Sequence, residues 1–229
     1  MSRTPVTDPD QATFWNGRYA SEGYLFGTQP NAFLAREAYR LAPGSKVLAI
    51  ADGEGRNSVF LAQHGHDVVA TDISEVAIEK ARTLASRRGV AVDYRLVDVA
   101  DWNWPVGAFD AVVGIFIQFA GPALRRRMFA GFCQALKPGG ILLLHGYREE
   151  QLGYGTGGPP TVENLYNEQV LREAVTGFEI ERLASYDAEI EEGTGHSGKS
   201  ALIDLIARKR FSDVAAAAET ATGLNGGQS

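Results

Sequence analysis

Three short clusters in this 229-residue chain have the residue types needed to grip a nucleoside. The first is Asp52-Gly53-Glu54-Gly55, set directly after the apolar run Lys46–Ala51. Glycines let a backbone pass close to a ligand without interference from a Cβ. A helix starting at Arg56 presents unpaired N–H groups in its first turn, which suit the carboxylate of an amino-acid moiety or a phosphate. The second is Asp72, seventeen residues past Gly55 and near the ~20 expected of a ribose-binding acid in a βαβ unit. Its carboxylate can accept hydrogen bonds from both ribose hydroxyls. The third is Asp98, in Leu96-Val-Asp-Val99, where a carboxylate can accept from an adenine amino group while Ile73 and Val99 sandwich the ring. Taken singly, these are a tight connection, a helix cap and a turn carboxylate. Taken together, each at the tip of a successive strand, they describe one adenosine site.

Placing those tips side by side requires a parallel sheet, and the pattern supplies one. Strands are predicted at 46–51, 66–71, 90–97, 109–115, 141–144, 179–187 and 200–208. Helices are predicted at 11–21, 31–41, 56–64, 75–88, 121–136 and 167–176, with Asn31 and Ser74 as caps and Gly65, Gly89 and Lys137-Pro-Gly-Gly140 as stops. Strands alternating with helices argue for an open parallel sheet, and the four apolar residues Ile141–Leu144 suit a strand covered on both faces. The expected fold is α/β: a doubly wound, Rossmann-like, seven-stranded sheet, mostly parallel. Five βα-like steps lead to a C-terminal antiparallel hairpin closed by the glycine-bearing loop 191–199. Residues 1–10 read as a loose arm, 11–211 as one domain whose first part, 11–43, forms lid helices, and 212–229 as a tail poor in large apolar groups.

Composition narrows the function. Hydrophobic residues make up 45% and charged residues 22%, with a net charge of −6. A domain of this size buries roughly 70% of its unfolded surface and needs no disulfide or metal to fold. The acidic balance argues against a broad nucleic-acid surface. No run approaches the ~18 apolar residues of a membrane span, and Met1–Asp10 lacks the apolar stretch of a signal peptide. The lone Cys133 sits among Met128, Phe129, Phe132 and Leu136 and reads as a core residue; a cytoplasmic location is expected. His64 and His66 straddle Gly65 without further ligands, so no metal site is expected.

At this point the sequence resembles the class I S-adenosylmethionine (SAM)-dependent methyltransferases, from about Phe14 to Arg210. The residues carrying the likeness are Val47-Leu-Ala-Ile-Ala-Asp-Gly-Glu-Gly-Arg-Asn-Ser58, Val69-Ala-Thr-Asp-Ile-Ser74 and Leu136-Lys-Pro-Gly-Gly140. Trp15-Asn-Gly-Arg-Tyr19 and Gly27-x-x-Pro-Asn31 resemble the cofactor-covering segment of the tellurite-resistance and thiopurine-methyltransferase group. The resemblance implies SAM as cofactor, S-adenosylhomocysteine as product, and a small-molecule acceptor of the detoxification kind. It implies Asp52, Gly53, Gly55, Asp72, Ile73, Asp98, Val99, Trp15 and Tyr19 as cofactor contacts, in a monomer or homodimer. In that family an acid usually stands at the position of Ala49, supporting the methionine amino group, and glycine often at Ala51. Here Asp52, Glu54 or a backbone carbonyl must serve instead. A nicotinamide-binding reading fits less well, because Ser58 occupies the third glycine position. A SAM-binding module without turnover is the other alternative, favoured by Ala49 and Ala51.

Methyl transfer is a displacement in which alignment supplies most of the acceleration. Trp15, Tyr19, Tyr24 and Phe26 form an aromatic cluster expected to fold over the cofactor, where ring faces attract a cation. The acceptor is expected between this segment, the loop 116–120 and the end of the fifth strand. His145, an imidazole, is the candidate base, with Tyr24 as second candidate. His196, in Gly193-Thr-Gly-His-Ser-Gly198, has two readings, a residue projecting toward the same face and a solvated loop residue, the second slightly favoured. No base is needed for a soft anionic nucleophile such as a thiolate or a chalcogen oxyanion.

Overall fold

The computed structural model describes residues 11–211; the arm 1–10 and tail 212–229 lie outside the described residues. Seven strands form one sheet: β1 (Lys46–Ile50), β2 (Asp67–Asp72), β3 (Asp93–Leu96), β4 (Phe109–Ile115), β5 (Leu136–Tyr147), β6 (Phe178–Glu192) and β7 (His196–Lys209). Their order is β3-β2-β1-β4-β5-β7-β6. β1 to β5 pair in parallel, and β7 runs antiparallel to both β5 and β6. The expected mostly parallel, seven-stranded sheet with a C-terminal hairpin is therefore present. Strand order reverses between β1 and β4, which opens a crevice at their carboxyl ends.

Period-two burial builds two cores from the central strands. Leu48, Val112, Leu142, Leu144 and Leu205 face one side, with Phe129 and Phe132. Val47, Ala111, Val113, Leu143 and Ile206 face the other, with Phe33, Leu34 and Leu61. Covering both faces takes six helices: α1 (Gln11–Tyr19), α2 (Ala32–Glu37), α3 (Arg56–Gln63), α4 (Glu75–Arg87), α5 (Pro122–Ala135) and α6 (Glu168–Ala174). Side chains cap three of them: Asn31 accepts from Phe33 N and Leu34 N, Ser74 from Ala77 N, and Asn167 from Val170 N. α5 instead opens with Pro122 in its first turn, where a missing N–H costs nothing.

As the predicted helix ranges imply, no helix joins β3 to β4. The structure corrects the sequence reading in two places. Lys137–Gly140 belongs to β5, not to a turn: Leu136 pairs with Phe109, and the register shifts before Ile141 pairs with Ala111. The hairpin is longer than expected, with β6 and β7 paired out to Glu192 and His196, so only Gly193-Thr194-Gly195 turns. Gly193 has φ +68, which suits so tight a reversal. Among the described residues no helix is long and apolar enough to cross a membrane.

Candidate active site

The crevice at the strand tips widens into a cavity of about 500 Å³. Residues from α1, the β1–α3 turn, the ends of β2, β3 and β4, and the β6–β7 hairpin line it together. The only positive-φ residues other than glycine, among the described residues, are Ala51 (φ +48) and Phe116 (φ +54). They follow β1 and β4, the two strands flanking the switch point, and both line the cavity. Backbone strain of this kind concentrates at functional sites.

The turn after β1 is built around a carboxylate on β2. Gly53 N donates to Asp72 Oδ2 at 2.8 Å, and Ser74 N donates to Asp72 Oδ1 at 2.9 Å. Burial raises the Asp72 pKa, against the pull of these amides. Gly53 has φ +61, and a Cβ there would lie 2.8 Å from the Tyr19 hydroxyl, so the lid tyrosine seals the turn only because the residue is glycine. Gly53, Asp72, Ile73, Asp98 and Val99 all reach the cavity wall. Asp98 is exposed and accepts from Ala100 N at 2.8 Å, Val99 is buried and Ile73 half-buried. Trp15 and Tyr19 also line it, their rings stacked at 5.7 Å.

Gly55 does not line the cavity. With φ +89, its missing Cβ leaves room for Ala81 Cα and the Tyr94 hydroxyl, each 2.9 Å from where that atom would stand. Its role is to pack α3 against α4 and β3.

Neither sequence-stated candidate for catalysis lines the cavity. The Tyr24 hydroxyl donates to the Lys80 carbonyl at 3.2 Å, docking its segment on α4. His145 is 2% exposed, stacked on Phe33 and covered by the edge of Phe116, with Nδ1 2.7 Å from Asp204 Oδ1. The apolar run of β5 carries it into the core. His196, expected in solvent, is buried against the cavity instead. Its ring lies 4.4 Å from that of Phe26 and 4.3 Å from that of Phe116. Burial, with Arg56 and Arg18 nearby, pushes its pKa down to about 3, so the imidazole is neutral. The shortened hairpin loop is the reason: His196 is the first residue of β7, not part of a free loop.

Several cavity residues escaped the sequence reading. Arg56, at the start of α3, donates to Glu192 Oε2 at 2.7 Å and to the Phe26 carbonyl at 3.1 Å. Glu192 in turn accepts from Asn31 Nδ2 at 2.8 Å. Arg56 was visible as part of the Gly-Arg-Asn-Ser stretch, but its partner stands 136 residues away. Gln118 clasps the backbone of Tyr147, donating to its carbonyl at 2.8 Å and accepting from its N–H at 2.5 Å. The segment 21–27 is tied down further, with Leu25 N donating to Glu54 Oε2 and Lys80 Nζ donating to Ser21 O, Gly23 O and Glu54 Oε1.

Residues 47–140 match a family model described as a methyltransferase domain. The chain is 31% identical over 142 residues to a glycine/sarcosine N-methyltransferase of Halorhodospira halochloris, covering 59% of this chain and 48% of that protein. It thus spans about half the length of that relative. A thiopurine S-methyltransferase of Pseudomonas putida is 26% identical over 220 residues, covering 86% of this chain and 98% of its own. Among solved structures, TehB from Haemophilus influenzae superposes with a TM-score of 0.65 at 19% identity, over 88% of this chain and 68% of that one. A structure described as "Conversion of a Disulfide Bond into a Thioacetal Group during Echinomycin Biosynthesis" gives 0.73 at 19% identity, over 96% and 100% of the two chains. The domain match over 47–140 and these relatives make the chain similar to SAM-dependent methyltransferases, and the solved structures share its fold. SAM is the cofactor that this likeness implies.

The residues present fit that cofactor. The carboxylates of Asp72 and Asp98 and the apolar pair Ile73 and Val99 line one cavity, and a buried oxygen of Asp52, Oδ2, lacks any hydrogen-bond partner.

Proposed function

We propose that the protein transfers the methyl group of SAM to a small neutral acceptor seated against Phe26, Phe116, Tyr147 and His196. One observation carries this reading: a single cavity is lined both by the strand tips Gly53, Asp72 and Asp98 and by this aromatic wall. Bound SAM supplies a methyl group on a positively charged sulfur. The acceptor heteroatom forms the new bond to carbon, the carbon–sulfur bond breaks, and its electron pair stays on sulfur as a thioether. Segment 11–43 covers the cofactor and excludes water, with Trp15 and Tyr19 presenting rings toward a cation. Ile73 and Val99 hold the adenine, Asp72 the ribose, and Asp98 the adenine amino group.

His196 is the residue assigned to the acceptor. A neutral imidazole accepts a hydrogen bond from an S–H, O–H or N–H nucleophile and takes up its proton as the charge develops. A thiol suits it best, being acidic enough to need little help. The P. putida relative, matched over nearly its whole length, is named for transfer to sulfur. An oxyanion suits the wall less well, since the buried cation Arg56 is already matched by Glu192. A second reading, SAM binding without methyl transfer, gains support from a Talaromyces variabilis relative named as a SAM-dependent Diels-Alderase, 32% identical over 110 residues.

The test is incubation of the purified protein with methyl-labelled SAM and a panel of aromatic thiols, phenols, amines, selenite and tellurite. Label in a thioether product is expected. S-adenosylhomocysteine binding with no acceptor labelled would leave the second reading standing.

A further inference from the structure

We propose that Asp52 is the counter-ion for the amino-acid ammonium of SAM. The inference rests on the SAM reading above and goes beyond it by choosing which group of this chain meets the amino-acid ammonium. An ammonium brought into a half-enclosed cavity needs an anionic acceptor. β1 offers none, because its last residues and their successor are Ala49, Ile50 and Ala51.

The other acids near the cavity are already engaged. Both oxygens of Asp72 accept backbone amides. Asp98 is exposed, stands beside Val99 and accepts from Ala100 N. Glu54 is turned toward Leu25 N and Lys80. Glu192 is held by Arg56 and Asn31. Asp52 remains: Oδ1 accepts one long bond, 3.3 Å, from Ser58 N, and Oδ2 is buried with no partner. It lines the cavity in the same turn as Gly53. Half of a carboxylate is thus left out of water and unpaired, a costly arrangement that a bound cation relieves.

The electrostatics agree. Burial pushes the Asp52 carboxyl up to about 7, opposed by hydrogen bonding from Ser58. Asp72 on β2 pushes the same way as burial, Arg56 on α3 pulls back, and the neutral phenols of Tyr19 on α1 and Tyr94 on β3 face the same group. Ionisation of Asp52 must therefore precede or accompany docking of the ammonium. Affinity for an amino-acid-bearing ligand rises as pH rises through about 7 and then levels.

Calorimetry with two probes tests this. S-adenosylhomocysteine carries the ammonium; 5′-methylthioadenosine keeps the nucleoside and thioether but lacks the amino acid. The wild-type protein should bind S-adenosylhomocysteine several-fold more tightly at pH 8 than at pH 6, and methylthioadenosine equally at both. Asp52→Asn should weaken S-adenosylhomocysteine by about 10-fold or more at pH 8, the size of one charge-assisted hydrogen bond. It should leave methylthioadenosine unchanged and abolish the pH slope. Equal weakening of both ligands in a folded variant, or wild-type binding of S-adenosylhomocysteine that is flat from pH 6 to 8, overturns the assignment. The wild-type profile decides the matter even where the variant folds poorly. Failure of the wild-type protein to bind either ligand would instead overturn the SAM reading itself.

Discussion

The amide of Gly53 donates to Asp72 Oδ2 across 2.8 Å, so one carboxylate both stitches the tip of β1 to the tip of β2 and lines the cavity. Asp72→Ala removes that acceptor and the one for Ser74 N. Two buried amides lose a charged partner, which should cost about 2–4 kcal/mol in urea unfolding. S-adenosylhomocysteine affinity should fall by about 100-fold through loss of the ribose contacts, read by calorimetry.

The two histidines should separate cleanly. His196→Ala should lower kcat by about 10- to 100-fold, the range of a lost general base, with S-adenosylhomocysteine binding nearly intact. Because the His196 pKa lies at about 3, kcat should show no inflection near 6.5 between pH 5 and 8. His145→Gln should leave kcat within about 3-fold while costing about 1–3 kcal/mol of stability, because its imidazole serves the buried Asp204. A larger kcat loss from His145→Gln than from His196→Ala would reverse these roles.

Asp204 is completely buried and collects His145, Arg36 and Tyr186 at 2.7, 2.8 and 3.0 Å. It joins β7 to α2, the second helix of segment 11–43. Asp204→Ala leaves these partners without their anion and should destabilise the protein by about 3–5 kcal/mol in chemical unfolding. Asp204→Asn, which keeps the shape, should cost less.

Stability should carry a signature of Asp52. Its carboxyl holds a proton more tightly in the folded chain than in the unfolded one, where it titrates near ~3.9. Folding therefore takes up a proton between about pH 4 and 7, and this contribution is fully present below the unfolded value and lost as pH rises through the folded one. The ligand-free melting temperature of Asp52→Asn, compared with wild type, should show a relative gain as pH moves from 5 to 8. A parallel pair of pH profiles would count against the raised pKa.

The hairpin turn grips the lid through missing side chains. A Cβ on Gly195 would stand 2.4 Å from the Phe26 ring, and one on Gly193 would stand 2.4 Å from the Leu25 carbonyl. Gly195→Ala should therefore loosen residues 21–27, raising their amide exchange and the KM for SAM, with little effect on exchange in β1 and β4. Gly193→Ala adds the strain of its positive φ and should be the more damaging of the two.

The alternation of apolar strands and capped helices was enough to fix sheet, strand number and antiparallel ending, because burial on both faces leaves a periodic imprint along the chain. The same imprint put Gly53, Asp72, Ile73, Asp98 and Val99 at strand tips that line one cavity, since parallel strands open their crevice at predictable ends. Other outcomes depended on long-range closure. Local reading put His196 in solvent and His145 at the acceptor; hairpin pairing out to His196 and the inward turn of β5 exchanged their places. Gly55 looked like a ligand contact, yet only the approach of Ala81 and Tyr94 explains it. Arg56 and Glu192, 136 residues apart, become partners only when β6 folds back beside α3, and no local pattern encodes a pairing of that span. Periodicity reports which face of an element is buried; which side chains then meet is set by packing between elements distant in sequence.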